Sequence, residues 1–367
     1  MLSDCEELVV AKCAKIINII IYYFFIFLSH GFGFKITDPI SDKPKKSILF
    51  IQEQSGKRKM KIAVMGAGAI GGYFGGRLAQ AGFDVSFIAR GAHLAAIRGN
   101  GLKVLSPLGD FTIYPAEVTD DPSKVGPVDV ILFMVKNYDT LQAAKQIRPM
   151  VGPDTAIIPF QNGVDARAML NNFLGDGNVL GGVAFIPASI LEPGVIKHNA
   201  ELAKLVFGEF DKQITPRAVS FLDALEKAGV AGEISTDISM VLWSKLMFLT
   251  SMSAINCITR QPASLVQSDE ETIALYMDAM REVAAVAAAH GVALGEEVIA
   301  NNMTLAQSFP PNNKTSMFQD LQAGRRLEID YLSGAVVRLG REKGIETPIH
   351  RTAWVAIKPW HNGPPIT

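Results

Sequence analysis

A run of closely spaced glycines between an apolar stretch and a helical one constrains this sequence most strongly. Residues Lys61–Met65 (KIAVM) form a short apolar run typical of a buried parallel strand, and residues 66–71 (GAGAIG) follow directly. Residues 72–81 are predicted to form a helix that ends at Gly82, and residues 84–89 a second strand. This order predicts a βαβ unit, and therefore an α/β fold with a parallel sheet.

The spacing G-x-G-x-x-G indicates what this turn binds. Gly66 permits the tight turn, Gly68 lets backbone N–H groups approach a pyrophosphate, and Gly71 lets the helix pack closely on the strand. The positive end of the helix then faces the phosphates. In this strand–helix context the motif predicts dinucleotide binding by Gly66, Ala67, Gly68, Ala69, Ile70 and Gly71. The alternative is a glycine-rich turn that holds no ligand.

The residue after the second strand indicates which dinucleotide is bound. An NAD site places a carboxylate there, about 20 residues into the unit, to accept a hydrogen bond from the ribose 2′-hydroxyl. This chain has Arg90 instead. Because a guanidinium holds a 2′-phosphate with paired donors, the sequence favours NADPH, with Arg98 as an assisting residue. The alternative is that both arginines are solvated loop residues.

Two further apolar runs, at residues 128–135 and 155–160, predict strands that end in polar residues. In an open α/β sheet, ligands lie beyond the carboxyl ends of the strands. Lys136 is therefore a candidate for the cofactor's phosphates or ribose, and Asn162 for the nicotinamide ribose and a substrate oxygen. The alternative for each is a loop polar group that satisfies the backbone.

The second half of the chain has a helical pattern. Segments with a 3.6-residue period cover roughly residues 237–257, 269–290 and 316–343. The predicted fold is an N-terminal Rossmann-type doubly wound parallel sheet, at residues 60–235, followed by an all-helical C-terminal domain, at residues 236–367. Dehydrogenases of this architecture place the substrate in the cleft between the two domains.

One lysine interrupts an apolar helical segment. Lys245 lies within residues 241–249 (VLWSKLMFL). Burial would depress its pKa toward neutrality, which suits a general acid that protonates a carbonyl oxygen as it becomes an alkoxide. The alternative is a lysine whose stem packs in the core while its ammonium reaches water.

Residues 312–330 form a second polar segment, whose side chains suit recognition of a carboxylate and a carbonyl. Asn313 and Ser316 are three residues apart, so we expect them on one helical face or at a helix N-terminus. Glu328, three turns later, is expected to return to that face. The alternative for Glu328 is an ion pair with one of the two arginines shortly before it.

Composition excludes several classes of protein. The 367 residues carry 35 Lys+Arg against 36 Asp+Glu, so there is no basic surplus for binding nucleic acid through bulk charge. Cys5, Cys13 and Cys257 lack ligand-type spacing next to histidines, which argues against a disulfide framework and a zinc site. We expect no metal site and a reducing, cytoplasmic location.

Residues 1–59 differ in composition from the remainder. They are rich in Ile, Phe, Tyr and Lys, whereas the rest is rich in Ala, Gly and Val, and the change falls at Met60. An uncharged apolar run starts at residue 16 and extends toward residue 34. Three interpretations are open: translation starts at Met60, residues 16–34 form a membrane anchor or targeting segment, or the extension is a structured part of the domain.

Together these motifs resemble the ketopantoate reductase (2-dehydropantoate 2-reductase) family. The resemblance covers Met60 to about Lys358 through GAGAIGG at 66–72, Arg90, Lys136, QNG at 161–163, WSK at 243–245 and NKTSMFQD…EID at 313–330. It implies NADPH-dependent reduction of a 2-oxo acid to a 2-hydroxy acid, ketopantoate to pantoate, in pantothenate and coenzyme A biosynthesis.

The resemblance also implies roles for individual residues. In the family, the lysine matching Lys245 acts as the general acid, and the glutamate matching Glu328 binds and orients the substrate. Residues matching Asn313 and Ser316 hold the substrate, and the asparagine matching Asn162 lies near the nicotinamide. The expected partner is thus a small 2-oxo acid, and a homodimer through the helical domain is one expectation for the assembly.

The substrate region departs from the family pattern. The pantoate-forming enzyme is expected to carry asparagines one and two helical turns after its lysine, whereas this chain has Leu249 and Ser253. Loss of a hydrogen bond to the substrate costs on the order of 1 kcal/mol or more. We therefore expect ketopantoate or a related, more apolar 2-oxo acid or ketone as the substrate.

A second class of function stays open from the sequence, namely an NADPH-binding sensor without turnover, because a nucleotide-binding fold alone does not prove activity. Lys245 together with Glu328 favours the enzyme, since a sensor has no use for a proton donor that faces the nicotinamide.

Overall fold

The computed structural model describes residues 59–365; the apolar run at 16–34 and its three interpretations lie outside these residues. In chain order the strands are β1 (Lys61–Met65), β2 (Asp84–Ile88), β3 (Leu102–Leu105), β4 (Phe111–Ile113), β5 (Glu117–Thr119), β6 (Val128–Phe133), β7 (Val151–Pro159), β8 (Gly181–Phe185), β9 (Ala188–Glu192), β10 (Val195–His198), β11 (Lys204–Gly208) and β12 (Ala231–Ile234).

The α-helices are α1 (Ala69–Gln80), α2 (Gly91–Asn100), α3 (Thr140–Gln146), α4 (Ala166–Leu174), α5 (Pro216–Lys227), α6 (Ile238–Thr259), α7 (Leu265–Ser268), α8 (Glu270–Ala289), α9 (Glu296–Ser308), α10 (Ser316–Gln322), α11 (Ser333–Glu342) and α12 (Pro348–Ile357). Short 3-10 helices cover Pro122–Lys124, Asn137–Asp139, Arg148–Met150 and Lys358–Trp360.

The first sheet has the order β5-β2-β1-β6-β7, and its pairs are parallel. Its central strand is buried on both faces. Ile62 and Val64 contribute to a core shared with α1 and α5, whereas Ala63 and Met65 contribute to a core shared with α3 and α4. This alternation of side chains between two helical layers confirms the predicted doubly wound parallel sheet.

Two smaller sheets complete this part of the fold. One has the order β4-β3-β10-β9 and the other β12-β11-β8. Val179, two residues before β8, forms an isolated parallel bridge with Ile157 of β7. Strand β11 pairs with β8 in the antiparallel direction. Gly194 in the β9–β10 turn contacts His93 of α2, and Ala184 in β8 contacts Lys245 of α6.

The glycine-rich turn folds as its spacing predicts. Gly66 has a φ of +101°, which only glycine adopts readily, and a Cβ on Gly71 would lie 2.2 Å from the carbonyl oxygen of Gly66. Helix α1 nevertheless begins three residues earlier than expected, because the N–H of Gly72 donates to the carbonyl of Gly68 at 2.7 Å and closes the first turn. The end of the glycine motif is therefore part of the helix.

After β12 the described residues form helices around a separate apolar core. Of the described helices, α6 is long and apolar enough to cross a membrane by length and composition. However, Leu246, Met247, Met252 and Ile255 of this helix are buried against other helices. We therefore interpret α6 as the central helix of the second core, and the predicted helical C-terminal region is confirmed.

The expected long helix over residues 316–343 is wrong. Helix α10 ends at Gln322, and α11 begins only at Ser333. Gly324 adopts a φ of +64°, and the N–H of Arg325 donates to the carbonyl of Asp320 at 2.8 Å, which is a glycine-terminated helix end. Glu328 consequently lies in an irregular segment and does not return to the helical face of Ser316.

Candidate active site

A cleft of about 470 Å³ opens at the carboxyl ends of β1, β2 and β6. Its lining includes five of the predicted cofactor residues, Gly66, Ala67, Gly68, Arg90 and Lys136. The other members of the glycine motif, Ala69, Ile70 and Gly71, lie in the first turn of α1. The cleft thus lies at the edge of the sheet where an open α/β fold binds its ligand.

The three glycines have different surroundings. A Cβ on Gly66 would lie 2.8 Å from the N atom of Val135, and one on Gly71 would collide with the turn. A Cβ on Gly68 would meet nothing within 4 Å. Gly66 and Gly71 are therefore required by the fold, whereas Gly68 leaves free space at the N-terminus of α1, where a pyrophosphate fits.

His93, which has no predicted role, holds this turn in place through hydrogen bonds. Its Nε2 lies 2.8 Å from the carbonyl oxygen of Ala67, and its Nδ1 accepts a hydrogen bond from the N–H of Gly194 at 3.0 Å. Because Nδ1 must accept, Nε2 carries the proton and donates to Ala67. The ring thus connects the glycine-rich turn to the β9–β10 turn, and it also lines the cleft.

Arg90 lies at the far end of the cleft, directly after β2. Its side chain is 70% exposed, and its guanidinium forms an ion pair with Asp139. Asp120, which follows β5, lines the same end. Arg98 is in the last turn of α2 and is not among the residues that line the cleft.

Lys136 joins the segment that follows β6 to carboxylates of the helical region. Its Nζ donates to Glu328 Oε2 at 3.0 Å and to Asp320 Oδ2 at 3.1 Å. Burial alone would lower the pKa of Lys136, but the two carboxylates outweigh this effect and raise the pKa above its usual value. Lys136 therefore stays a cation throughout the physiological range.

Glu328 is 5% exposed, and both of its oxygens have partners. Oε1 accepts from the backbone N–H of Asn137 at 3.1 Å and from its side-chain amide at 2.9 Å. The arginine alternative is wrong: Arg325 pairs with Asp320 at 2.7 Å, and Arg326 lies over the ring of Tyr138. Glu328, which lies in the helical region, thus bonds to Lys136 and Asn137, which follow β6 of the first sheet.

Lys245 lies on α6 and has a neutral partner. Its Nζ donates to the carbonyl oxygen of Ala184 in β8 at 2.8 Å and lies 5.5 Å from the ring centre of Phe185. Burial lowers the pKa of Lys245 to about 8, although the negative charge of Glu328 opposes this shift. The side chain is half-buried and its ammonium donates to a backbone carbonyl, whereas the snorkelling alternative places the ammonium in water.

Asn137 and Asp320 belong to this cluster but were not predicted as site residues. Asn137 is buried, and its amide donates to the carbonyl oxygen of Asn162 at 2.8 Å as well as to Glu328. It thereby connects the segments that follow β6 and β7. The available signals were its position next to Lys136 and the place of Asp320 one turn after Ser316.

Two of the predicted substrate residues, Asn313 and Ser316, lie at the start of α10. Ser316 is its exposed first residue, one helical turn before Asp320, and the carbonyl of Asn313 accepts from the N–H of Ala263 at 2.9 Å. Leu249 and Ser253 follow Lys245 on α6. Ser253 is fully buried and its hydroxyl has no protein partner among the described residues, whereas Leu249 packs against the helical core.

Comparisons with known proteins agree on one family. The chain matches the family model described as ketopantoate reductase PanE/ApbA over residues 62–212, and the model of its C-terminal part over residues 237–361. The 2-dehydropantoate 2-reductase of Mesorhizobium japonicum is 31% identical over 310 residues, which cover 79% of this chain and 94% of that protein.

Two solved structures are similar over the same range. A PanE/ApbA family ketopantoate reductase from Ralstonia eutropha JMP134 has a TM-score of 0.76 at 33% identity, covering 82% of this chain and 98% of that one. A 2-dehydropantoate 2-reductase from Geobacter metallireducens GS-15 has a TM-score of 0.77 at 30% identity, covering 82% and 99%.

Proposed function

Because this chain belongs to the ketopantoate reductase family, we propose that it reduces ketopantoate, or a related 2-oxo acid, with NADPH and with Lys245 as the general acid. The family membership that the motifs indicated is confirmed, and with it an oxidoreductase that converts a 2-oxo acid to a 2-hydroxy acid. The identity of the cofactor and the roles of individual residues are proposals.

The observation that carries this proposal is the environment of Lys245. Its pKa of about 8 lies close to neutral pH, so the ammonium can give up a proton during turnover and regain it afterwards. A lysine with its ordinary pKa would be a much weaker acid. The nearby carboxylate of Glu328 favours the ammonium, which is the form that the reduction needs.

The cleft fits a dinucleotide. The free space at Gly68, the N-terminus of α1 and the exposed guanidinium of Arg90 suit a pyrophosphate and a 2′-phosphate. Gly66, Ala67, Gly68, Ala69, Ile70 and Gly71 would hold the pyrophosphate, and Asn162 would contact the ribose next to the nicotinamide. When bound, the cofactor supplies a hydride from its nicotinamide ring to the substrate carbonyl carbon.

The chain's own residues then control the substrate oxygen. Lys245 donates a proton to this oxygen as negative charge develops on it, and the Ala184 carbonyl keeps the donor in place. Asn313 and Ser316 bind the substrate carboxylate. Glu328 orients the substrate and fixes Lys136 and Asn137 at the edge of the sheet. In this scheme residues 60–235 serve the cofactor and residues 236–367 the substrate.

The substrate preference depends on the positions of Leu249 and Ser253, where the family pattern has asparagines. Leu249 offers apolar surface and Ser253 is fully buried, so neither residue offers an amide to a substrate oxygen. We propose that this side of the site admits a more apolar 2-oxo acid than ketopantoate. The double substitution Leu249→Asn with Ser253→Asn is expected to raise kcat/KM for ketopantoate relative to an apolar 2-oxo acid about tenfold.

The experiment that tests the function is NADPH oxidation by the full chain with a panel of 2-oxo acids and ketones that includes ketopantoate. Lys245→Ala is expected to abolish turnover while NADPH still binds. Lys212→Ala serves as the matched control, because Lys212 forms an exposed ion pair with Asp237. Turnover by Lys245→Ala at the wild-type rate would disprove the assigned acid.

Two further outcomes of this assay decide between a sensor and an enzyme of pantothenate biosynthesis. NADPH binding without turnover of any substrate on the panel would favour the sensor. Turnover of ketopantoate would support a role in pantothenate and coenzyme A biosynthesis, which we propose takes place in the cytoplasm.

A further inference from the structure

The arginine end of the cofactor cleft carries negative as well as positive charge. Asp139 closes the short 3-10 helix that follows Lys136, and Asp120 follows β5; both line the cleft beside Arg90. The guanidinium of Arg90 donates to Asp139, whose side chain is 20% exposed. When a 2′-phosphate approaches Arg90, one nitrogen of the guanidinium already donates to the Asp139 carboxylate.

The remaining cation of the cleft lining is committed elsewhere. Lys136 is bonded to Glu328 and Asp320 at 3.0 and 3.1 Å. NADPH brings two negative charges on its 2′-phosphate, and NADH brings none there. Within the cleft lining, the positive charge free to favour the phosphate is thus a single guanidinium, and a carboxylate neutralises it.

Asp139 also offers the group that NADH would use. A carboxylate at this end of a dinucleotide site accepts a hydrogen bond from the ribose 2′-hydroxyl and repels a 2′-phosphate. Arg90 and Asp139 thus favour different cofactors, and their ion pair holds the two side chains next to each other.

We propose that Asp139 sets the cofactor preference of this enzyme. By pairing with Arg90 it lowers the affinity for NADPH relative to that for NADH, so that NADH also binds. The inference rests on the proposed nicotinamide cofactor, and it is independent of the substrate. It makes Asp139 a specificity-determining residue that acts through Arg90 and through direct repulsion of the 2′-phosphate.

The test measures dissociation constants of NADPH and NADH by nucleotide fluorescence, without a substrate. For the wild type we expect the two constants to differ by no more than about tenfold. Asp139→Asn keeps the size of the side chain and is expected to increase the NADH-to-NADPH ratio of dissociation constants by about fivefold or more. Partial unfolding does not change this ratio, because both cofactors are measured on the same sample.

Asp278→Asn is the matched control. Asp278 forms an exposed ion pair with Arg281 on α8, so the substitution makes the same change of charge in the helical half. We expect this variant to leave the ratio unchanged. In an Arg90→Ala background, Asp139→Asn is expected to keep only the part of its effect that comes from direct repulsion of the 2′-phosphate, because the arginine that it releases is gone.

A ratio that stays within twofold of the wild type in Asp139→Asn, or that falls, would overturn the proposal. So would a wild type that binds neither dinucleotide, and that result would also remove the proposed function. Binding of both cofactors with the expected ratios but no turnover of any 2-oxo acid would support the role of Asp139 and contradict only the proposed reaction.

Discussion

Lys136 and Lys245 lie in the two halves of the molecule and meet opposite electrostatic conditions. Lys136 is 43% exposed and touches two carboxylates, which raise its pKa. Lys245 lies on α6, is half-buried and touches a neutral carbonyl of β8, and burial lowers its pKa to about 8. Glu328 influences both, as a direct partner of the first and as a more distant charge for the second.

The difference separates two tasks that lysines perform in enzymes. A lysine with two acidic partners keeps its proton and fixes the geometry of its neighbours. A lysine with a neutral partner in a desolvated site exchanges its proton near neutral pH. The two lysines should therefore respond differently to substitution and to pH.

Replacing Lys245 should have the largest effect. Lys245→Ala removes the proton donor, and we expect kcat to fall by roughly 10² to 10⁴. Lys245→Arg keeps the charge but not the acidity, and we expect it to rescue little. Steady-state kinetics with the preferred 2-oxo acid measures both variants, and near-wild-type turnover by Lys245→Arg would contradict the acid role.

Glu328→Gln should lower the pKa of both lysines, because the charge of Glu328 favours the ammonium form of each. The substitution keeps hydrogen-bonding atoms toward Asn137 but removes one carboxylate from Lys136, so we expect kcat/KM to fall roughly 10- to 100-fold through misplaced substrate. Glu271→Gln, at an exposed position in the first turn of α8, makes the same change of net charge and is the control. Equal kcat/KM values for Glu328→Gln and the wild type would show that Glu328 has no part in orienting the substrate.

The pH dependence should report Lys245 and leave Lys136 silent. Reduction needs the ammonium, so we expect the rate to be constant below about pH 8 and to fall roughly tenfold per pH unit above it. In Glu328→Gln the carboxylate that favours the ammonium is lost, so the descending limb should move to lower pH. A limb that moves to higher pH would contradict this assignment.

The smallest effect is expected on the cofactor side. His93→Phe keeps the ring volume but loses the hydrogen bonds to Ala67 and Gly194, and we expect NADPH to bind about fivefold more weakly at unchanged kcat. His93→Gln places an amide near Nε2 and should restore part of the affinity. Fluorescence titration measures both, and a loss of kcat at unchanged affinity would argue against a brace for the turn.

The cofactor side was accessible from sequence because its determinants are local. Gly66, Gly68 and Gly71 lie within six residues of each other and between two strands, and Arg90 directly follows the second strand. Backbone conformation and strand order then decide where these residues lie. The same locality explains why the start of α1 was predicted to within one turn.

The contacts of Lys136 with Asp320 and Glu328 were less accessible from the sequence because they join distant segments. Glu328 is separated from Lys136 by 192 residues, and Asp320 by 184. A continuous helical period across 316–343 hid the break at Gly324, whose left-handed conformation ends α10 and releases Glu328 from the helix. Periodicity describes which face a residue takes while the helix lasts, but it does not reveal where another segment supplies the partner.

The hydrogen bond between Lys245 and Ala184 has a consequence for repeated turnover. After the proposed proton transfer the Lys245 side chain is a neutral amine, which still has two N–H groups to donate. A carboxylate partner would grip the ammonium strongly and the amine weakly, so each cycle would make and break an ion pair. A backbone carbonyl accepts from either form, so the acid can be recharged from solvent without leaving its position.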